Sequence, residues 1–368
     1  MAASAENVIT AHTTSSSPHI IFDGSDVPHN CVTSSSVLWQ RPDDPISAAT
    51  EEVVQRVKTT VVAQLCFLIG GASNCVNMAV FLKQGVHERN NMCLFTLALV
   101  DLLYLLFICF LYGENTFAFF GQVPRIGPVH AFVVTNHLLG LYGLAWTSAF
   151  LSAVIAAERC FCILNPLHSK TFLRTSTLAF FVAISCVVII AGFFVVSEKW
   201  TTVCMYNPEN NSSFTLLTTN GYYRRNRKIV DIFDGLIYGL LLPGVDNLAV
   251  AFSTGVMAVH LKRAVSWRDK ASSGVSTKEL LLTKMLVCLS IQYNLSSVPN
   301  FVFRITCMFV EDLSENGGYR NTYFLMRSII EMVSILNPSL HFFVYISFGS
   351  RYRKTLKHLC ALRHWKNR

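Results

Sequence analysis

Long apolar segments separated by short polar ones fill the chain from residue 59 to residue 348. Each apolar segment is close to or longer than the ~20 residues that a helix needs to cross a bilayer. The hydrocarbon core offers the backbone no hydrogen-bond partners, so segments of this kind are predicted to be α-helices. We number the seven predicted spans in chain order as 59–82, 92–113, 129–155, 177–196, 229–259, 280–309 and 323–348.

The sequences on either side of the spans are polar but differ in pattern. Residues 1–57 are rich in Ser and Thr and are predicted to be a mostly disordered tail, without the basic and apolar regions of a signal peptide. Residues 349–368 alternate basic and apolar side chains at helical spacing, which predicts an amphipathic surface helix, with Cys360 as a candidate for palmitoylation. The predicted fold is therefore an all-α membrane protein: a seven-transmembrane helix bundle over residues 58–348 with a short amphipathic surface helix after the last span.

The composition favours a membrane protein for a second reason. Charged residues make up 14% of the chain and hydrophobic residues 52%, whereas soluble domains carry about 25% charged residues. The net charge of +8 is spread over loops and tail, so no nucleic-acid partner is predicted. Most of the twelve cysteines lie inside apolar segments, where cysteine behaves as a small hydrophobic residue, and no spacing is typical of a zinc site.

The distribution of basic residues predicts the orientation in the membrane. Most of the 30 Lys and Arg residues fall on the side of the C-terminus, which predicts a cytoplasmic C-terminus and an extracellular N-terminus in the plasma membrane. The basic cluster at 224–228 is an exception on the outer side and is expected to serve a ligand or anionic headgroups. Two overlapping sequons, at Asn210 and Asn211, lie in an outer loop and predict glycosylation there.

A charged pair, Glu158-Arg159, stands next to Cys160 at the end of span three. Charge is costly in the hydrocarbon and is usually kept there for function. Other polar residues and prolines mark the remaining spans: Asn74 in span one, Asp101 in span two, Pro243 in span five, Pro299 in span six and Tyr345 in span seven. Over about residues 55–360 this pattern resembles the rhodopsin-like G-protein-coupled receptors. The motifs ERCxC and NPSLxFFxY are similar to those of the invertebrate chemosensory and FMRFamide-like peptide receptors.

The resemblance implies a receptor that binds an extracellular ligand and activates a heterotrimeric G protein through a rearrangement of its helices. It also implies arrestin as a further partner, no required cofactor and no enzyme activity. A chemosensory ligand is the first expectation, and an FMRFamide-like neuropeptide is the alternative. A transporter or channel is disfavoured because the spans show no internal repeat, and an enzyme because the chain lacks GxSxG, HExxH and Walker motifs.

The resemblance also implies a switch around Arg159, with Tyr345 as a further member. The guanidinium stays charged and can exchange partners: Glu158 beside it, or Glu279 at the start of span six. An Arg159–Glu279 bridge would hold two helix ends together, and its rupture would open a groove for a helix of the G protein. Alternatively, Glu279 is a solvated acid favoured by the helix dipole. The prolines of spans five and six, Pro243 and Pro299, are expected to kink their helices and give the switch its two positions.

By family position, Asp101 belongs to a pocket in the middle of the bundle. Ser148 is expected to face it, with Asn337 and Asn74 nearby. A carboxylate with hydroxyl and amide oxygens suits a small hard cation, so an allosteric sodium ion with Asp101 as its ligand is expected. The alternative is a protonated, hydrogen-bonded aspartate without an ion. His341 stands where the family has asparagine and would either make the pocket sensitive to pH or act as an ordinary hydrogen-bonding residue.

The ligand is expected in the outer cavity among spans three, five, six and seven. Charged residues there suit peptide termini or polar odorants, although they would also lie there if they only extended to the membrane interface. Leu141 stands where amine receptors carry aspartate, which disfavours a biogenic amine. The candidate lining residues are His137, Leu141, Asp234, Tyr238, Asn300, Arg304 and Arg327.

Two departures from the family pattern affect the outer side. Val134 occupies the position of the family's cysteine at the outer end of span three, which excludes the usual disulfide. Cys204 therefore needs another partner, and Cys31 and Cys307 are both candidates on the oxidising side. Span seven contains no lysine, which excludes a retinal Schiff base.

Overall fold

The predicted helix bundle is confirmed in the computed structural model, which describes residues 32–33, 44–117, 128–165, 174–207, 212–270, 277–315 and 317–366. Among the described helices, those of spans one to five and seven are long and apolar enough to cross a membrane. Span six is less apolar because it carries Gln292, Asn294 and Asn300. The helices cover Ala48–Gln84, Arg89–Phe117, Leu138–Leu164, Thr175–Ser197, Gly221–Asp231 continued by Ile232–Leu241 and Leu242–Lys270, Thr277–Phe309, and Arg320–Phe348.

Span one begins at Ala48, about three turns earlier than its apolar pattern predicts. Ser47 caps the helix by accepting a hydrogen bond from the Thr50 backbone N–H, which is a common helix start. The predicted disordered tail thus contains a helix from residue 48, so its predicted boundary at residue 57 is wrong. The early turns are polar, so the apolar pattern does not predict them, and contacts with another span fix their position.

Those contacts are made with span seven, and Asp44, just ahead of the first helix, binds the start of the same span. The Asp44 carboxylate accepts hydrogen bonds from the Asn321 backbone N–H at 2.6 Å and from the Thr322 hydroxyl at 2.7 Å. Asp44 therefore caps span seven from another part of the chain. Partial burial raises the pKa of this carboxyl, but the hydrogen bonds from Thr322, Ile46 and Asn321 outweigh it and lower the pKa below its ordinary value.

Span three is interrupted near its N-terminal end, although a continuous helix from residue 129 is predicted. A short helix, Pro128–Thr135, is followed by a turn in which His137 adopts φ of 56°, an uncommon left-handed conformation for a residue other than glycine. A 3₁₀ segment then leads into the regular helix, which runs through Gly143 to Leu164. A side chain at Gly143 would come within 2.9 Å of the Ile190 Cα, so glycine is needed for this close approach to span four.

The two predicted kink prolines lie in different surroundings. Just before Pro243, span five widens into π-helical turns over Ile232–Leu241. Proline has no N–H and its ring clashes with the preceding turn, and wide π turns accommodate both effects. Pro299 lies inside the helix of span six.

A small β-sheet, absent from the all-α prediction, lies beside the first end of span three. Strands β1 (Val32–Thr33), β2 (Trp200–Asn207) and β3 (Ser212–Thr219) follow the order β1-β2-β3. The β2–β3 pair is antiparallel and β1 runs parallel to β2. We call the end of the bundle formed by this sheet, residues 44–57 and the start of span seven the N-terminal face.

The opposite end of the bundle, the C-terminal face, carries the surface helix Ser350–Lys366. Its Tyr352 is buried and donates a hydrogen bond of 2.7 Å to the Asn77 side-chain oxygen of span one. Its Arg351 donates a 2.9 Å hydrogen bond to Glu88 in the loop before span two. This hydrogen bond from Arg351 lowers the pKa of the Glu88 carboxyl despite its partial burial.

The state of each cysteine distinguishes between Cys31 and Cys307, the two predicted disulfide partners of Cys204. Cys204, in β2, is disulfide-bonded, whereas Cys307 has a free thiol. The Cys204–Cys307 alternative is therefore wrong. Cys31 lies outside the described residues, as do the predicted glycosylation sites Asn210 and Asn211. The register of β1, with Val32 opposite Met205, favours the pairing of Cys204 with Cys31.

We expect Cys31→Ser and Cys204→Ser to lower the thermal stability of the purified protein equally. Loss of a native disulfide typically costs ~2–5 kcal/mol, and the double variant should lose no more than either single one. Cys307→Ser is the matched control and should unfold at the wild-type temperature. A stable Cys31→Ser protein beside an unstable Cys204→Ser protein would contradict the pairing.

Candidate functional site

Three polar side chains from spans two, three and seven meet in the middle of the bundle. Asp101 is fully buried, and its Oδ1 accepts a 2.5 Å hydrogen bond from the Ser148 hydroxyl. Its Oδ2 lies 3.0 Å from Nδ1 of His341, which is also buried. We call these residues the central cluster. Its members were all predicted for this pocket, and together they tie the three spans to one another.

The other two predicted members of the pocket form hydrogen bonds elsewhere. Asn337 accepts from the Gln292 amide of span six, through its backbone oxygen at 2.9 Å and its side-chain oxygen at 3.1 Å. Asn74 donates to the backbone oxygen of Pro338 at 3.2 Å and accepts from Asn77 at 3.2 Å. These contacts join span seven to spans one and six, but not to Asp101.

The expected sodium ion stays a prediction, and the contacts of Asp101 offer it few oxygen ligands in this conformation. A hard cation needs several oxygen ligands, but both Asp101 oxygens already face Ser148 and His341. His341 places an imidazole nitrogen, and not an oxygen, 3.0 Å from the Asp101 Oδ2, and no described contact brings Asn337 or Asn74 to the carboxylate. Asp101 therefore has protein partners on both oxygens.

The predicted switch residues at the end of span three are held by span two. Glu158 is buried, and its Oε2 lies 3.1 Å from the Arg159 Nε. The Arg159 Nε also donates to the Asn90 side-chain oxygen at 3.2 Å. The Arg89 Nε lies 3.6 Å from the Glu158 Oε1. We call these four residues the coupling cluster. Within this cluster, the Arg159 side chain is directed toward the first turn of span two.

The predicted Arg159–Glu279 bridge stays a prediction. Glu279 lies in the first turn of the span-six helix, but its side chain lies outside the described part of the chain. Its competitors for the guanidinium are described, and they are Glu158 and Asn90.

Tyr345 connects the central cluster to the surface helix. Its side chain is 1% exposed and packs edge-on against Phe81, with ring centroids 5.3 Å apart. On one side it lies 6.5 Å from the His341 ring and on the other 5.5 Å from the Tyr352 ring. A movement of span seven at His341 would thus displace Tyr345, which packs against Tyr352 of the surface helix.

The N-terminal face holds most of the predicted ligand contacts, and several of them are paired. The Lys199 Nζ lies 3.2 Å from the Asp234 Oδ2. Burial lowers the pKa of Lys199, but the Asp234 and Glu315 carboxylates outweigh it and raise the pKa above its ordinary value. Tyr238 donates to the backbone oxygen of Ile189 at 2.5 Å.

The remaining candidates differ in their surroundings. The His137 Nδ1 lies 3.3 Å from the Glu198 Oε1. Leu141 packs against the apolar core, and Asn300 is partly buried. The Arg304 guanidinium lies 5.2 Å from the centre of the Trp146 ring.

Arg327 belongs to a network of charges. Its Nε lies 2.9 Å from the Glu331 Oε1, and its Nη1 lies 3.0 Å from the Glu315 Oε1. The other Glu331 oxygen lies 2.6 Å from the Nζ of Lys58, which is buried. Spans one and seven are thereby joined near the N-terminal face by a carboxylate between two cations.

A family model described as "Serpentine type 7TM GPCR chemoreceptor Srw" matches residues 89–363. The chain belongs to this family. The matched residues include the coupling cluster at the end of span three and Tyr345 at the end of span seven. They also include most of the surface helix. The prediction of a G-protein-coupled receptor of the chemoreceptor group is therefore confirmed, as is the multi-pass membrane protein that it implies.

Two curated relatives of this receptor come from Danio rerio. Galanin receptor 2a is 24% identical over 319 residues, which are 84% of this chain and 80% of the relative. Galanin receptor 2b is 25% identical over 307 residues, which are 82% of this chain and 74% of the relative. The similarity thus extends over most of the bundle in both.

Several residues of the receptor's polar clusters were not predicted. Asn90 contacts Arg159 and Arg89 contacts Glu158, and the signal for both is the polar sequence RNN at the start of span two. Lys58 and Glu331 pair across 273 residues of sequence. An acid inside span seven is the signal that Glu331 offers, because intramembrane charge usually has a partner.

Proposed function

We propose that this receptor detects an extracellular chemosensory ligand at its N-terminal face and activates a heterotrimeric G protein at its C-terminal face. The observation that carries the proposal is a continuous series of contacts from the middle of the bundle to the C-terminal face. It runs from Asp101 through His341 and Tyr345 to Tyr352 of the surface helix. The N-terminus is extracellular in this proposal, as the distribution of Lys and Arg predicts.

The coupling cluster supplies the step that releases the signal. Arg159 is held by Glu158 and Asn90 in this conformation, so its guanidinium is not available to a G protein. Ligand binding shifts the population toward a conformation in which these contacts are broken. Span six then moves away from span three, and the groove between them accepts a helix of the G protein. Arrestin would use the same groove, and the lipid bilayer supports the surface helix.

A neuropeptide is the second candidate ligand. The similarity to receptors named for galanin favours it, as do the many charged residues of the N-terminal face. A peptide can span paired charges such as Lys199–Asp234 and Arg327–Glu315, which lie near the β-sheet and the loop after span six. Peptides, galanin among them, therefore belong in any search for the ligand.

A ligand screen with a G-protein readout tests the proposal. Membranes that contain the receptor and a co-expressed G protein should show nucleotide exchange with a member of a panel of odorants and peptides. Membranes without the receptor serve as the control and should show none. Ligand-dependent uptake or current without any exchange would overturn the proposal in favour of a transporter or channel.

A further inference from the structure

Arg304 stands apart from the cations around it on the N-terminal face. Lys58, Lys199 and Arg327 each have a carboxylate oxygen within 3.2 Å. Arg304 has no hydrogen bond or ion pair with any of the residues that the structure describes, and its Nε is buried without a hydrogen-bond partner. The Asp234 carboxylate acts on the Arg304 charge without contacting it, and Lys199 already binds that carboxylate.

Arg304 has an aromatic ring on one side and a glycine on another. Its guanidinium lies over the ring of Trp146 in span three, 5.2 Å from the ring centre. On the span-five side, a side chain at Gly239 would begin 3.8 Å from the Arg304 Nη1, so the glycine leaves space beside the guanidinium. The cation therefore lies among spans three, five and six, with an aromatic wall and a glycine next to it.

An arrangement of this kind is costly unless something else completes it. A guanidinium carries five N–H donors, and a buried donor without a partner loses the hydrogen bonds that water would give it. The cation–π contact with Trp146 stabilises the charge but satisfies none of these donors. A carboxylate can accept two parallel hydrogen bonds from one guanidinium, and it would supply both the acceptors and the missing charge.

The neighbouring side chains indicate what the carboxylate is attached to. The ring of Trp146 lies 6.0 Å from that of Tyr238, which in turn contacts Phe193 at 5.0 Å. The Tyr238 hydroxyl is occupied by Ile189, so this side of the site presents mainly aromatic carbon. An apolar group fits such surroundings, because burial of its surface is favourable.

We propose that Arg304 binds the carboxylate of the activating ligand, which is an organic acid with an apolar or aromatic group next to the carboxylate. This inference deepens the proposed function, on which it rests, by naming the ligand's chemical class. A free organic acid and the C-terminal carboxylate of a peptide share this chemistry, and the experiment separates them.

Thermal unfolding of the purified receptor tests the proposal without a G protein. The probes are phenylacetate and hexanoate, with phenylacetamide and hexanamide as matched neutral analogues, and two galanin peptides with a free or an amidated C-terminus. We expect the acids to raise the unfolding temperature and the amides to leave it unchanged. A shift with the free-carboxylate peptide only, and with no small acid, would identify a peptide as the source of the carboxylate.

Variants of Arg304 separate ligand binding from a structural role. Arg304→Gln should weaken acid binding roughly 10- to 100-fold, as expected when a charge-assisted hydrogen bond is lost. Without ligand it should unfold at or above the wild-type temperature, because it removes a charge whose buried Nε has no hydrogen-bond partner. Arg304→Lys should bind acids with intermediate affinity, since it keeps the charge but not the two-pronged geometry. Arg320→Gln, which removes a cation stacked on Phe324, is the matched control and should bind like the wild type.

Two results would overturn the assignment of Arg304. One is equal stabilisation of the wild type and Arg304→Gln by the acids, and the other is no stabilisation of the wild type by any acid or free-carboxylate peptide. Failure of the G-protein screen would be distinguishable, because ligand-induced stabilisation does not depend on nucleotide exchange.

Discussion

Replacing Arg159 by alanine should abolish most ligand-stimulated nucleotide exchange while ligand binding survives. The guanidinium lies at the C-terminal end of span three, and its described partners are Glu158 and Asn90. A charged hydrogen-bonding group contributes ~1.5–3 kcal/mol, so exchange should fall by roughly 10- to 100-fold. The measurement compares nucleotide exchange and ligand affinity in the same membranes.

Asn90→Ala is the control that separates release of Arg159 from its removal. It leaves the guanidinium in place but deletes the 3.2 Å hydrogen bond that holds it toward span two. Exchange without ligand should therefore rise in Asn90→Ala and not in Arg159→Ala. Wild-type coupling in the Arg159→Ala receptor would remove Arg159 from the switch.

A second large effect is expected on stability when Glu331 is replaced by glutamine. The Glu331 carboxylate lies between Lys58, at 2.6 Å, and Arg327, at 2.9 Å. Its loss leaves Lys58 buried without a counter-charge, and breaking a buried pair in this way costs about 3–5 kcal/mol. Because the Glu331 side chain is 29% exposed, we expect a loss near the lower end, about 3 kcal/mol. Thermal inactivation of ligand binding measures it.

The matched control is Glu52→Gln, which breaks the exposed Arg56–Glu52 pair of the same helix as Lys58. Pairs of this kind contribute about 0–1 kcal/mol, so the variant should behave like the wild type. If Glu331→Gln were as stable as Glu52→Gln, the charge network between spans one and seven would carry no stability.

The spans could be predicted because hydrophobic length is a local property of the sequence. The deviations depend on contacts that sequence does not display. The helix from Ala48 is polar and gains its partner, the start of span seven, only in the folded chain. The turn at His137 and the approach of Gly143 to span four depend on how two helices pack, and a hydrophobicity pattern does not contain that information.

The same distinction separates the predicted and the unpredicted site residues. Asp101, Ser148 and His341 were placed together because their family positions face one another, and the structure brings them into contact. Asn337 and Asn74 were assigned to the same pocket, but Gln292 and Pro338 are their partners instead. A polar group on another span can form the hydrogen bond that such a side chain offers. A single sequence does not show which of the neighbouring groups forms it.

The cap that Asp44 places on span seven connects the start of the chain to that helix. The carboxylate accepts hydrogen bonds from Asn321 and Thr322 in the first turn of that helix. The same helix contains His341 and Tyr345 further along. A displacement of Asp44 would therefore be passed to the first turn of span seven through these hydrogen bonds, at the end of the helix opposite the surface helix.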